Sequence, residues 1–212
     1  RWDYDTTRKV YIHTLNPYDD YAHAFVVTGL GNGKRISEGI SPTGSANVTI
    51  NEFIDYQVHE PREYSLFNVG RTFYGDIMDG NASREYSFNF PNAVTTRHLS
   101  MHVEMAGRNA TAASFEVFVE GNKMATYPIE PYGDAYHYAK PAGGWIVGNP
   151  SGDAVKVRIA HKTAEGSSSA GYLDFLSLNV WRKLSFAGAQ MPFCNPEADD
   201  INKVYEYHLG TT

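Results

Sequence analysis

The sequence predicts an all-β protein, a jelly-roll-like β-sandwich with additional N-terminal strands. Three observations carry that reading. Apolar and polar residues alternate with period two in several stretches, as a strand with one face on a core and one in water requires. Glycine- and proline-bearing turns separate those stretches at short intervals. No segment before residue 190 carries the 3.6-residue apolar spacing of an amphipathic helix. Fifteen Tyr, eleven Phe and three Trp agree with strands, where an aromatic ring packs while a hydroxyl or ring edge reaches water.

Taken in order, strands are expected at residues 10–14, 24–28 and 48–56, and then at 84–90. Leu99, Met101, Val103 and Met105 alternate with His98, Ser100, His102 and Glu104, which sets a strand with its aliphatic side chains inward. Phe115, Val117 and Val119 do the same between Glu116 and Glu120. The tetrad Glu120-Gly121-Asn122-Lys123 then reads as a tight hairpin turn. Val155, Val157 and Ile159 alternate with Lys156 and Arg158, and the run 172–181 closes the block. A one-residue slip would bury Glu104, Glu116, Lys156 and Arg158, so the register is expected to be firm. Residues 192–212 are expected to be irregular, with at most a short helix at 198–207. The organisation read from this is an N-terminal β region at 1–83, a sandwich at 84–186 and a connecting tail at 187–212. No linker composition separates the first two, so one unit is expected.

Charge and cysteine content narrow the function. The net charge of −6 and the lack of a basic run give no means of neutralising phosphates, so no nucleic-acid partner is expected. The apolar runs fall far short of the roughly 20 residues that span a bilayer as a helix. The opening Arg1-Trp2-Asp3 shows no apolar leader, and both ends read as trimmed from a longer chain. Cys194 is the single cysteine, so no intrachain disulfide forms. It sits in Met191-Pro192-Phe193-Cys194-Asn195-Pro196 with no cation beside it in sequence, and no catalytic nucleophile is assigned.

Histidines, oxygen ligands and aromatics are the other groups that could carry chemistry. His98 and His102 lie four residues apart on a strand, roughly 13 Å, too far for both to reach one zinc. Asp76, Asp79 and Asn81, around Gly80, make an oxygen-rich loop at 75–81 that offers calcium some ligands, although Asp-Gly-Asn is also an ordinary turn. Tyr74, Tyr136, Tyr138 and Trp145 are candidates for a carbohydrate platform; tyrosines covering sheet edges are the plainer account. Arg71, set between Gly70 and the aromatics Phe73 and Tyr74, suits a carboxylate contact to Asp76 or Glu60, or stacking on a neighbouring ring.

Several segments in order carry a resemblance. They are Trp2; the segment from His13 to Thr28 with Asn16-Pro17-Tyr18; His59-Glu60; Gly70-Arg71-Thr72-Phe73-Tyr74-Gly75-Asp76; and Tyr172-Leu173-Asp174 running into Trp181-Arg182-Lys183-Leu184. In this order they resemble the β-rich region that precedes the catalytic domain in PorU-type sortases of type IX secretion, cysteine peptidases of the gingipain family. The arginine segment departs from the family pattern, with Phe73 and Tyr74 where the family has Trp and Phe, and Asp76 where it has Glu. The resemblance implies a parent that cleaves export signals from cargo at the bacterial outer-membrane surface. Its Cys–His dyad would lie in an α/β domain, and neither His59 nor Cys194 is its equivalent. The partners implied are that catalytic domain, secreted cargo and outer-membrane secretion components. No cofactor is expected beyond the calcium alternative. In a bacterial chain the Asn-x-Ser/Thr triplets at Asn47, Asn81 and Asn109 carry no glycosylation signal.

Overall fold

The computed structural model describes residues 2–15, 24–33, 35, 37, 42–66, 72–132 and 138–211. Among these the chain forms strands β1 (Trp2–Asp5), β2 (Val10–His13), β3 (Val48–Ile50), β4 (Glu52–His59), β5 (Gly75–Asp79), β6 (Ser83–Asn89), β7 (Leu99–Asn109), β8 (Ala113–Val119), β9 (Asn122–Ile129), β10 (Lys140–Gly148), β11 (Ala154–Thr163), β12 (Ser169–Lys183) and β13 (Tyr205–Tyr207). Two antiparallel sheets face each other. One runs β10-β7-β12-β4, with β5 also pairing β12; the other runs β6-β11-β8-β9. From β6 to β12 the chain changes sheet at each step except the β8–β9 hairpin, which gives the jelly-roll-like sandwich. The β1–β2 hairpin and a parallel β13–β3 pair complete the fold.

The core lies between the two sheets. Leu99, Met101, Val103, Phe115, Val117, Val119, Val155, Val157 and Ile159 all face inward, none more than 2% exposed. β12, beside β7 in the same sheet, adds Leu173, Leu176, Leu178 and Val180. Each such side chain contributes about 1.5–3 kcal/mol on burial. The alternating neighbours stay at the surface or half-buried: Lys156 is exposed, and the Arg158 guanidinium carbon lies 3.6 Å from the centroid of Phe118.

The hairpin expected at 120–123 joins β8 to β9, with φ of 50° at Glu120 and 79° at Gly121. Two positive values suit the twist of the strands. Glutamate is unusual in that conformation, and its side chain is held there. Glu120 accepts hydrogen bonds from Ser151 Oγ (2.7 Å) and from the Lys156 amide (2.8 Å).

Several elements differ from expectation. Residues 24–28 form no strand, and Phe25 and Val26 are 94% and 91% exposed; β propensity alone does not form a ladder without an edge to pair with. The stretch 48–56 breaks at Asn51 into β3 and β4, which join different sheets. Residues 75–79, read as loop, are strand β5. The tail holds no helix at 198–207; Tyr205–Tyr207 pairs with β3, and Asn47 Oδ1 accepts the Val204 amide at 2.9 Å.

His161 and Asn109 form a polar pair inside the sandwich. His161 is fully buried, and burial holds its pKa below the usual histidine value. The ring is therefore neutral, with Nδ1–H donating to the Gly80 carbonyl at 2.7 Å. Its Nε2 lies 3.0 Å from Oδ1 of buried Asn109.

Candidate functional site

The outer face of the larger sheet gathers most of the side chains with chemistry. Its strands bring residues together that are far apart in sequence. Trp145 on β10 is in register with His102 on β7, which in turn opposes Ser177 on β12. The Trp145 and His102 rings stack at 4.5 Å and 9°. Phe175 meets His102 edge-on at 5.2 Å and His13 at 5.0 Å. His13 arrives on the β1–β2 hairpin, which is clamped onto the sheet by Asn179. That buried side chain accepts the Tyr11 amide proton at 2.7 Å and donates to the Tyr11 carbonyl at 2.9 Å, replacing a missing ladder partner.

Carboxylates line this aromatic row. Glu60 Oε2 lies 3.0 Å from His13 Nε2, and Glu104 Oε1 lies 2.7 Å from His102 Nε2. Asp174 joins them through a β-bulge: the register between β12 and β7 shifts between Leu173, paired with Met105, and Phe175, paired with Glu104. Burial pushes the Asp174 carboxyl up to about 6, the charges of Glu60 and Glu104 add to the shift, and Arg62 opposes it. Burial likewise raises the Tyr74 hydroxyl, with Asp174 and Glu104 adding to the effect. The sequence carried one signal for the bulge. Leu173 and Leu176 are three apart and both buried, which strict period two does not allow.

This geometry makes a prediction about pH. The folded state holds the Asp174 proton more tightly than the unfolded chain, whose carboxyl has its ordinary value of 3.8. Stability therefore falls as pH rises from about 4 to about 6. The difference between 3.8 and about 6 corresponds to about 3 kcal/mol, and partial exposure of the carboxyl roughly halves that. Asp174→Asn should stabilise the protein by about 1–2 kcal/mol at pH 7 and leave it unchanged near pH 4. Urea unfolding at the two pH values tests this; an equal effect at both would rule it out.

The sequence candidates are placed as follows. Tyr74 is half-buried, bridged in backbone to Tyr64 by paired hydrogen bonds of 2.7 Å, with its ring 6.1 Å from that of Tyr172. Arg108 lies over Tyr138 at 4.5 Å. Arg71 and Tyr136 lie outside the described residues. The guanidinium on Phe73 is that of Arg62, at 5.4 Å. Asp76 has a φ of 46° and sits 2.7 Å from His59 Nε2, Asn81 Oδ1 accepts the Thr163 amide, and Asp79 is exposed. Among the described residues no group of three or more His, Cys, Asp or Glu side chains is placed to hold a metal ion. His98 and His102 are divided between Asn149 and Glu104. Cys194 is exposed beside a small hollow of about 100 Å³ lined by Tyr11, Tyr56 and Phe193.

The solved structures place this fold. Dimeric latent PorU from Porphyromonas gingivalis is similar over 98% of this chain at 17% identity, with a TM-score of 0.75. The chain spans about one fifth of that protein's length, 20%. A family 36 carbohydrate-binding module in complex with calcium and xylotriose is similar over 57% of this chain and 98% of its own, at 16% identity and a TM-score of 0.37. A family 35 carbohydrate-binding module from Clostridium thermocellum is similar over 60% of this chain and 90% of its own, at 16% identity and a TM-score of 0.35. No family model and no curated protein sequence matches the chain. The similarity to PorU shows a shared fold across nearly the whole chain.

Proposed function

We propose that this chain is a non-catalytic β-sandwich region of a PorU-type sortase of type IX secretion, acting at the bacterial outer-membrane surface. In this reading it supports a gingipain-type catalytic domain carried by the longer protein, and residues 1–83 and 84–186 act as one unit. The observation that carries the reading is the fold shared with PorU over nearly the full chain. The order of sequence segments from Trp2 to Leu184 supports it independently. The outer face of the larger sheet, with Tyr74, Tyr138 and Trp145, is the surface offered to the catalytic domain or to cargo and outer-membrane components. Arg71, outside the described residues, is kept as a candidate contact.

A carbohydrate-binding module is the competing reading. It asks for an aromatic face open to a sugar ring. Here one face of Trp145 is covered by His102, and Arg108 lies over Tyr138.

The test is association with a separately prepared catalytic region of a PorU-type sortase, measured by calorimetry. Interfaces between domains of one chain resemble transient ones, so the search should reach about 100 μM. A one-to-one complex is the expected result, with background turnover by the isolated chain on peptides bearing an export-signal junction. Lack of a complex, together with glycan binding, would overturn the assignment in favour of the carbohydrate module. Cleavage lost in Cys194→Ala would overturn the non-catalytic role.

A further inference from the structure

A hollow of about 300 Å³ borders the aromatic row, where the Arg8 guanidinium carbon lies 5.7 Å from the Trp145 ring centroid. It lies between the turn joining β1 to β2, the loop ahead of β7 and the C-terminal segment. Its charged lining is Arg8 and Lys9 from the turn, Arg97 and His98 from the loop, and Glu197 from the tail, with Trp181 of β12 beneath Arg97. Arg8 is bound to Asp5 at 2.8 Å, so the cations the hollow can offer a ligand are Lys9 and Arg97, the second of them shared with Glu197 and Glu52.

Arg97 is held ready in this hollow. Its guanidinium carbon sits 3.7 Å from the Trp181 ring centroid, which fixes the plane of the fork. Nη2 reaches Glu197 Oε1 at 2.8 Å, and Nη1 lies 3.6 Å from Glu52 Oε2. Glu197 is 47% exposed at its side chain, and so exposed a pair is easily exchanged for another anion. Lys9 is exposed and has no acidic partner among the described residues. A second hollow of about 320 Å³ shares the Arg97–Glu197 pair as its wall, so moving Glu197 aside joins the two.

We propose that this hollow binds an oxyanion, the carboxylate or phosphate group of a small ligand, through Arg97 and Lys9. Glu197 is the internal competitor that occupies the Arg97 fork when no ligand is present. A planar guanidinium stacked on an indole offers two parallel N–H donors that match either oxyanion, and the lysine supplies a second charge. The inference is independent of the secretion reading and rests only on the hollow and its charges.

The experiment is a calorimetric titration of the whole chain at low ionic strength with inorganic phosphate and, separately, with succinate. Saturable millimolar or tighter binding of at least one is expected, weakening as salt is added. Phosphate alone, succinate alone or both would each support the site and identify its preferred source. Lys9→Ala, an exposed change that leaves the fold intact, should weaken binding by about tenfold, and Glu197→Gln should tighten it by about threefold to tenfold. Tightening on loss of Glu197 is an effect that a merely structural ion pair would not give. No binding of either anion at about 20 mM would overturn the proposal. So would binding indifferent to both substitutions.

Discussion

Val157→Asp is expected to unfold the protein, whereas Lys156→Asp, one residue away, is tolerated. Val157 is fully buried on β11, in register with Tyr86 of β6 on one side and Val119 of β8 on the other. An aspartate there loses the burial of an aliphatic side chain, about 1.5–3 kcal/mol, and places an unpaired carboxylate in the core at a cost of several kcal/mol more. The sum is comparable with the whole stability of a typical domain, about 5–15 kcal/mol. Lys156 points away from the core, with its side chain 58% exposed and only a loose contact to Glu85 at 3.9 Å. Its replacement should cost about 0.5–1 kcal/mol, mostly from placing two acids near each other. Circular dichroism and thermal melts decide the matter. A Val157→Asp protein that melts near the wild-type midpoint would show that the inward face has been misassigned.

Arg182→Ala is expected to destabilise the fold by about 3–5 kcal/mol, because it leaves a partly buried carboxylate without its cation. The Arg182 side chain is 7% exposed; its Nη1 lies 2.6 Å from Asp55 Oδ2, and its Nε donates to the Pro91 carbonyl at 2.6 Å. Its guanidinium carbon also lies 5.1 Å from the Phe53 centroid. One side chain thus ties β12 to β4 and to the segment after β6, so truncation removes packing as well as charge. The pairing has a signature of its own. Arg182→Met combined with Asp55→Leu should recover most of the loss, since a well-packed apolar pair can match a buried ion pair. Denaturant unfolding of the single and double variants measures the coupling. Strictly additive losses would show that Arg182 acts through packing alone.

Much of the sandwich was legible in the sequence, because the alternation of a strand is a local property. The neighbours of Val157 already say which face is dry, and a slip would bury Lys156 and Arg158. The hairpin at Gly121 was legible for the same reason: a two-residue turn needs residues that accept positive φ. Those patterns determined the strands at 84–90, 99–105, 115–120, 155–159 and 172–181 and their inward faces, but not β10 at Lys140–Gly148. Pairing between distant segments is another matter. Strand propensity gave residues 24–28 the same reading as residues 10–14, yet only the second found a place, where Asn179 of β12 takes the Tyr11 backbone. β13 pairs with β3 across more than 150 residues, with no mark in either segment to announce it. The candidate sites follow this division. Trp145 was visible as an aromatic, but its stack on His102 needed the register of β10 against β7. The charged hollow was not visible at all, since Lys9, Arg97, Trp181 and Glu197 are ordinary residues in their own segments. Local alternation and turn chemistry act over two to four residues and can be read along the chain. The meeting of distant edges depends on which surfaces remain unpaired once the core has formed, and only the tertiary structure decides that.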